Sequence, residues 1–321
     1  MMQRLTCNRF VVLGRAGLDL CADPPGAKIE TAERFTTAIG GSAGNIAVAL
    51  ARQGAGVALA TCVSDDPAGR FCLAALRRYG VDTRHVRQVG GERRTSLALT
   101  ETVATDCQTV LYRNGAADFA LSEADVSAID FSDAGALVVT GTALAAAPSR
   151  GATTLAMARA RAAGALVVLD IDYRAYSWAT ADEATRVCRE ATQACDIVVG
   201  NDLEFGLLAG SHAAGEDFAR GLVAKGARLA VYKRGAEGST TFTADAHFAT
   251  PIFPVAALKP TGAGDGFMGG LLAGLAQGHG LEAAVRRGAA TAALIVSGTG
   301  CAPASPDSAT LAHFIASFQQ T

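Results

Sequence analysis

Pro260-Thr261-Gly262-Ala263-Gly264-Asp265-Gly266-Phe267-Met268 places three small residues and then a carboxylate ahead of an apolar helical run, Gly266 to Leu275. Backbone N–H groups at the start of a helix have no partner inside it, and the helix dipole adds partial positive charge there. Gly262, Ala263 and Gly264 leave that backbone bare, so an anion such as a phosphate can approach closely. Asp265 then stands beside the anion, where it can take a proton from an attacking hydroxyl. This is the layout needed to phosphorylate an alcohol. The same dipole is expected to lower the pKa of Asp265 and leave it a weak base. Two other uses of these letters stay open. One is a tight turn followed by a helix N-terminal acid. The other is a dinucleotide-binding fingerprint, Gly264-x-Gly266-x-x-Gly269, although that motif belongs in a first βα turn and here lies late, behind Leu258-Lys259-Pro260.

A second glycine-headed segment, Gly40-Gly41-Ser42-Ala43-Gly44-Asn45, precedes Ile46-Ala47-Val48-Ala49-Leu50-Ala51-Arg52-Gln53-Gly54. The spacing predicts a helix over 46–53 stopped by Gly54. Bare Gly-Gly backbone with an amide at Asn45 suits a polyhydroxylated ligand; taken alone, an N-capped helix after a loop is the simpler reading. Asn201-Asp202-Leu203-Glu204 follows the strand pattern Ile197–Val199 and reads as a capping box, with Asn201 at the cap and Glu204 three positions on.

The chain has 321 residues, 50% apolar and 18% charged, which provides for one large packed core with a small appendage. A net charge of −2 gives no electrostatic reason to expect nucleic acid or an acidic membrane as partner. Eight cysteines are scattered without a Cys-x-x-Cys or a Cys/His cluster, as expected for small buried hydrophobes in a reducing cytosol. Arg4, Arg9, Arg15 and Asp19 interrupt the N-terminus, and no targeting segment is expected; apolar stretches such as 136–148 and 289–296 are too short to span a bilayer. A cytoplasmic protein is the expectation.

Short apolar runs alternate with helical patterns. Phe10–Leu13, Val57–Val63, Ala136–Thr140, Ala165–Ile171, Asp196–Val199 and Arg228–Lys233 read as buried strands. Ile46–Gln53, Gly69–Tyr79, Arg150–Ala163, Glu183–Thr192 and Glu216–Ala224 read as helices. This alternation implies an α/β fold, a parallel sheet with helices on both faces, with ligands at the carboxyl ends of its strands. Residues 20–39 and 93–115 break the pattern and alternate apolar with polar, as one small β-lid over the sheet edge would.

The two glycine segments, together with Gly14-Arg15-Ala16-Gly17-Leu18-Asp19-Leu20, Asp170-Ile171-Asp172-Tyr173-Arg174 with Trp178, Val231-Tyr232-Lys233-Arg234-Gly235-Ala236-Glu237-Gly238 and Gly300-Cys301-Ala302-Pro303-Ala304, resemble the ribokinase-like (PfkB) carbohydrate kinases along essentially the whole chain. The resemblance implies a ribokinase-like three-layer sandwich, one kinase domain over 1–321 with the lid covering the sugar, and ATP and Mg²⁺ as cofactors. Asp265 would be the base and the Gly262, Ala263 and Gly264 amides the anion hole. Asp19, Gly40, Gly41 and Asn45 would meet the sugar, Asn201 and Glu204 would arrange phosphates and Mg²⁺ (Glu204 indirectly), and Lys233, Gly235 and Gly238 would border the nucleotide. Arg113 on the lid and Arg174 after the Asp-x-Asp strand end flank the same pocket. Guanidinium groups there suit bidentate capture of a carboxylate, which favours a sugar acid over a neutral sugar. A homodimer through the lid edge is compatible with this scheme.

Two positions depart from the family pattern. Lys259-Pro260 replaces an Asp-Thr pair that helps bind an activating monovalent cation, which puts potassium dependence in doubt and offers a lysine ammonium in the ion's place. Cys21 stands where an aromatic residue is frequent, so sugar preference can differ. Alternatives at this level are another sugar kinase of the family, a sugar-binding protein without turnover, and an NAD-dependent dehydrogenase.

Overall fold

The computed structural model describes residues 7–318. Arg4 and the two ends of the 1–321 domain assignment lie outside them. Nine strands form the main sheet, in the order β13-β12-β11-β10-β9-β8-β1-β4-β5. They are β1 (Arg9–Leu13), β4 (Gly56–Ser64), β5 (Val86–Val89), β8 (Ala136–Thr140), β9 (Leu166–Asp170), β10 (Ile197–Asn201), β11 (Leu229–Lys233), β12 (Ser239–Phe242) and β13 (His247–Thr250). The run from β5 to β11 is parallel, and β12 and β13 add an antiparallel hairpin at one edge. The strands read from near-continuous Val/Leu/Ile runs are those buried on both faces, as parallel strands between two helix layers must be. β5 and the hairpin, which are short and partly polar, were not expected from the pattern.

Alternate side chains along each strand feed two cores. Phe10, Val12, Val138, Val199 and Val231 pack on helices α1 (Ser42–Arg52), α2 (Pro67–Arg78), α8 (Ala263–Ala276) and α9 (Leu281–Val296). Val11, Leu13, Val139, Leu169 and Val198 pack on α4 (Ser149–Ala162), α5 (Ala181–Thr192), α6 (Asp202–Ala209) and α7 (Gly215–Ala224). The short helices α3 (Glu123–Ser127), α10 (Cys301–Ala304) and the terminal α11 (Ser308–Ser317) complete the set. The result is the three-layer α/β sandwich expected. No helix among the described residues is long and apolar enough to cross a membrane.

The lid is a separate four-stranded sheet, β3-β2-β6-β7, built from β2 (Gly17–Asp23), β3 (Arg34–Gly40), β6 (Ser96–Thr100) and β7 (Thr109–Tyr112). Its first strand begins at Gly17, three residues before the segment read from the sequence. It has two roots in the main sheet. β2 follows the interior strand β1, which is flanked by β8 and β4, whereas β6 follows β5, the edge strand of the main sheet, so the lid is rooted both inside the sheet and at its edge. Strand order is a tertiary property that periodicity does not encode. The outer strand β7 leaves Val110 and Tyr112 exposed.

The dinucleotide reading of Gly264-x-Gly266-x-x-Gly269 has a packing explanation. A Cβ on Gly266 would overlap Ile295 of α9, and one on Gly269 would overlap Ala49 of α1. These glycines let three helices approach closely. They do not cradle a pyrophosphate.

Candidate active site

Parallel register brings the functional strand ends level. Thr140 pairs with Asp170, Asp170 with Val199, and Asn201 with Lys233, so β8 to β11 end together at one rim. The crevice outside such carboxyl ends is where α/β sheets bind ligands. Across it stand the starts of α1 and α8 and the inner strands of the lid.

Helix α8 begins at Ala263, three residues earlier than the apolar run implied, with Gly262 as its N-cap at φ 84°. The left-handed backbone turns the Gly262–Gly264 segment so that Ala263, Gly264 and Asp265 occupy the first helical positions, whose amides have no intrahelical partner. The turn has no room for a side chain at Gly262, because a Cβ would overlap the sulfur of Cys301. Gly262→Ala should therefore lose about 1–3 kcal/mol of stability in a denaturant titration; a neutral effect would show that this turn is not constrained.

Asp265 accepts a hydrogen bond from Asn45 Nδ2 at 2.8 Å, from a residue 220 positions earlier. This link adds to one expectation. Asn45 is expected to meet the sugar; the structure also ties it to Asp265, while its Oδ1 is buried without a partner. A second expectation is overturned. The Asp265 pKa is raised, to about 7, and not lowered. Burial is the main cause, and the nearby Asp172 carboxylate adds to it; the Asn45 bond, Arg174 and Lys233 oppose. The dipole of one helix end is worth a fraction of a unit to about one unit, too little against desolvation and a neighbouring charge.

Asp19 on β2 is 9% exposed, and its Oδ1 has no hydrogen-bond partner. Burial raises its pKa to about 6, against Arg15 and Lys259, which lower it. Gly40 on β3 is what makes room for it, since a Cβ there would overlap the Asp19 carboxylate. Gly41, at φ 86°, is the N-cap of α1. Orphaned buried oxygens on Asp19 and Asn45 are the signature of a polar ligand site, because leaving such groups unpaired is costly.

Asp172, which the sequence reading did not single out by itself, organises the other wall. Its φ is 38°, a left-handed conformation that Asp tolerates better than most residues and that clusters at functional sites. Its carboxylate accepts hydrogen bonds from Ser42 Oγ (2.5 Å) and Thr142 Oγ1 (2.9 Å) and pairs with Arg174 Nη2 (3.1 Å). Arg174 is thus anchored at one corner while its side chain stays 48% exposed. Arg113 differs. Its side chain is 3% exposed, Nε and Nη2 donate to Asp118, Nη1 donates to Ser177 and Nη2 to the Thr142 carbonyl, and the guanidinium stacks over Phe119. Its charge is already neutralised by Asp118. Arg113 thus braces the Thr142 and Ser177 loops with its charge paired to Asp118, whereas Arg174 keeps about half of its side chain exposed.

At the end of β10, Asn201 and Glu204 form the capping box of α6. Both Glu204 oxygens are engaged, Oε2 by the Asn201 N–H (2.7 Å) and Oε1 by the Tyr173 N–H (3.1 Å). Burial raises the Glu204 pKa, with Lys233 opposing. Asp170, 4% exposed, is raised for the same reason, against Lys233 and with Glu204, Asp172 and Asp265 adding. Among the described residues, no group of three or more His, Cys, Asp or Glu is arranged to hold a metal ion. Mg²⁺ keeps much of its hydration, and buried carboxylates such as those of Asp170 and Glu204 are groups that would reach it through its waters. Lys233 stands beside the first turn of α8. Its Nζ lies 3.1 Å from where a Cβ on Gly264 would stand and 5.9 Å from the Phe267 ring centroid. Gly235 (φ 54°) and Gly238 (φ 84°) shape the loop that follows.

The model for the pfkB family carbohydrate kinases matches residues 8–308, and the chain belongs to that family. It is 38% identical over 315 residues to a protein called 5-dehydro-2-deoxygluconokinase from Photobacterium profundum, covering 97% of this chain and 95% of that protein. Among solved structures it is similar to a PfkB protein from Polaromonas sp. JS666, at 32% identity and a TM-score of 0.81 over 94% of this chain and 98% of the other. It is also similar to a Vibrio cholerae fructokinase variant bound to fructose, ADP and potassium, at 26% identity and a TM-score of 0.85 over 98% and 99% of the two chains. The protein is a carbohydrate kinase.

Proposed function

We propose that the protein transfers the γ-phosphoryl group of ATP to a primary hydroxyl of a sugar acid, 5-dehydro-2-deoxy-D-gluconate, giving its 6-phosphate, a step of inositol breakdown. The observation that carries the acid over a neutral sugar is Arg174, anchored by Asp172 yet half exposed in the same crevice as Asp265. Relatives bearing that substrate's name at 32–38% identity support the same choice. Eight unpaired thiols suit a reducing cytosol.

In this reading the lid and the start of α1 hold the sugar. Asp19 accepts from its hydroxyls through the unpartnered Oδ1, Asn45 Oδ1 accepts another, and Arg174 takes the carboxylate. Asp265 orients the primary hydroxyl and receives its proton as the new O–P bond forms and the β–γ bridging P–O bond of ATP breaks, with ADP leaving. The Gly262–Gly264 amides and Lys233 face the charge on the transferring group, and a preorganised donor set of this kind is commonly the largest part of catalysis. Mg²⁺, when bound on the phosphates near Glu204, supplies further charge neutralisation.

A base with a pKa near 7 matches a neutral working pH better than a fully ionised carboxylate would. Because the raised pKa keeps Asp265 protonated below about 7, kcat/KM should fall on the acid side with a one-proton limb near that value. A flat profile down to pH 5 would count against Asp265 as the base. Incubation with Mg-ATP and the keto acid, followed by ³¹P NMR, should show ADP together with a new primary phosphomonoester; no such ester would overturn the assignment.

A further inference from the structure

Lys259 is completely buried, 0% exposed, although lysine is almost never found so without an ionic partner. No carboxylate among the described residues pairs with it. Its Nζ donates to the Thr261 carbonyl (2.9 Å) and the Ile295 carbonyl (3.4 Å) and lies 3.7 Å from Cys301 Sγ. Each contact belongs to a different segment. Thr261 immediately precedes Gly262, the N-cap of the anion-hole helix. Ile295 is in the last turn of α9, at the negative end of the helix dipole, and its carbonyl also accepts from the Gly298 N–H at 3.3 Å. Cys301 is the residue on which the Gly262 turn is seated. The ammonium therefore ties the end of α9 and the start of α10 to the turn that presents the phosphate-facing amides.

We infer that Lys259 is a covalently tethered monovalent cation, a positioning residue that fixes the Gly262–Gly264 turn and supplies fixed positive charge behind it. The geometry is that of a cation among carbonyl oxygens. An ion of similar size and charge, K⁺ or NH₄⁺, is the chemical equivalent of what the side chain delivers. The charge also reaches Asp19, so it bears on the sugar side as well as the phosphate side. Turnover in the intact protein then needs no added monovalent cation, because the chain carries its own.

This inference rests on the kinase reading, and its test has a readout that does not. Wild-type kcat should be the same in K⁺, Na⁺ and Tris buffers. Lys259→Ala, which opens a space lined by the Thr261 and Ile295 carbonyls, should lose at least tenfold in kcat in Tris, with a smaller change in KM for ATP, and regain most of it in K⁺ or NH₄⁺ but not Li⁺. Its melting temperature should rise with K⁺ or NH₄⁺, where the wild type's does not, whether or not a sugar turns over. Lys259→Met, which fills the space without charge, should be impaired and not rescued. A several-fold K⁺ stimulation of the wild type overturns the inference, as does an Ala variant that keeps full kcat in Tris or loses it without cation rescue. Should the Ala variant fail to fold, undiminished kcat in the Met variant overturns it. Absence of ADP formation by the wild type with any sugar, alongside cation-specific melting of the Ala variant, would sink the kinase reading alone.

Discussion

Asp265→Asn is expected to lose about 10²–10⁴-fold in kcat, the range a positioned general base supplies, while the protein melts a few degrees higher at pH 8. The two halves of this result come from one fact. A carboxyl whose folded pKa stands near 7 holds its proton more tightly folded than unfolded. The linkage sign follows: the group costs nothing at pH well below 4, becomes destabilising as pH rises between about 4 and 7, and carries its full cost above that. Asparagine removes the cost and keeps an oxygen to accept from Asn45 Nδ2. The gain in melting temperature should therefore be present at pH 8 and shrink towards pH 4. Near-wild-type turnover in a folded Asn variant would end the assignment of the base. A lower melting temperature at pH 8 would show that the carboxylate is stabilised there after all.

Arg174→Ala should reduce kcat/KM for the sugar acid by about 10–150-fold, the equivalent of the 1.5–3 kcal/mol typical of a hydrogen bond to a charged group. The loss should be specific to the acid, with a neutral sugar at most weakly affected. Folding should survive, because Asp172 keeps its bonds from Ser42 and Thr142 when Arg174 is gone. Arg174→Lys keeps the charge without the planar fork and should fall between the two. Steady-state kinetics on the three proteins decides it. An unchanged kcat/KM in the Ala variant removes the carboxylate role, and with it the physical argument for an acid.

Much of this fold was legible because its signals are local. Val/Leu/Ile runs of five or so residues separated by helical periods mark β8 to β11, and Gly262-Ala263-Gly264-Asp265 carries its chemistry in four consecutive letters. The parts that were not legible depend on distance in sequence. Asn45 meets Asp265 across 220 residues. Asp172 acquires its importance from Ser42 and Thr142, 130 and 30 positions away. The lid is legible as a β unit, but its two roots, at interior β1 and at edge strand β5, depend on strand order. The pKa of Asp265 was misjudged in direction because the helix dipole is visible in a sequence and burial beside Asp172 is not. Arg113 is the exception. Its partner Asp118 stands only five residues on, in a segment with Phe119 to stack against, and that local pair was a signal that its charge was already committed.

Coupled ADP release from Mg-ATP across a panel of acceptors tests the central claim most directly. With 5-dehydro-2-deoxygluconate, 2-keto-3-deoxygluconate, fructose, ribose and adenosine side by side, kcat/KM should be highest for 5-dehydro-2-deoxygluconate and well above every neutral acceptor. Preference for fructose, ribose or adenosine, or no ADP release with either acid, would contradict it.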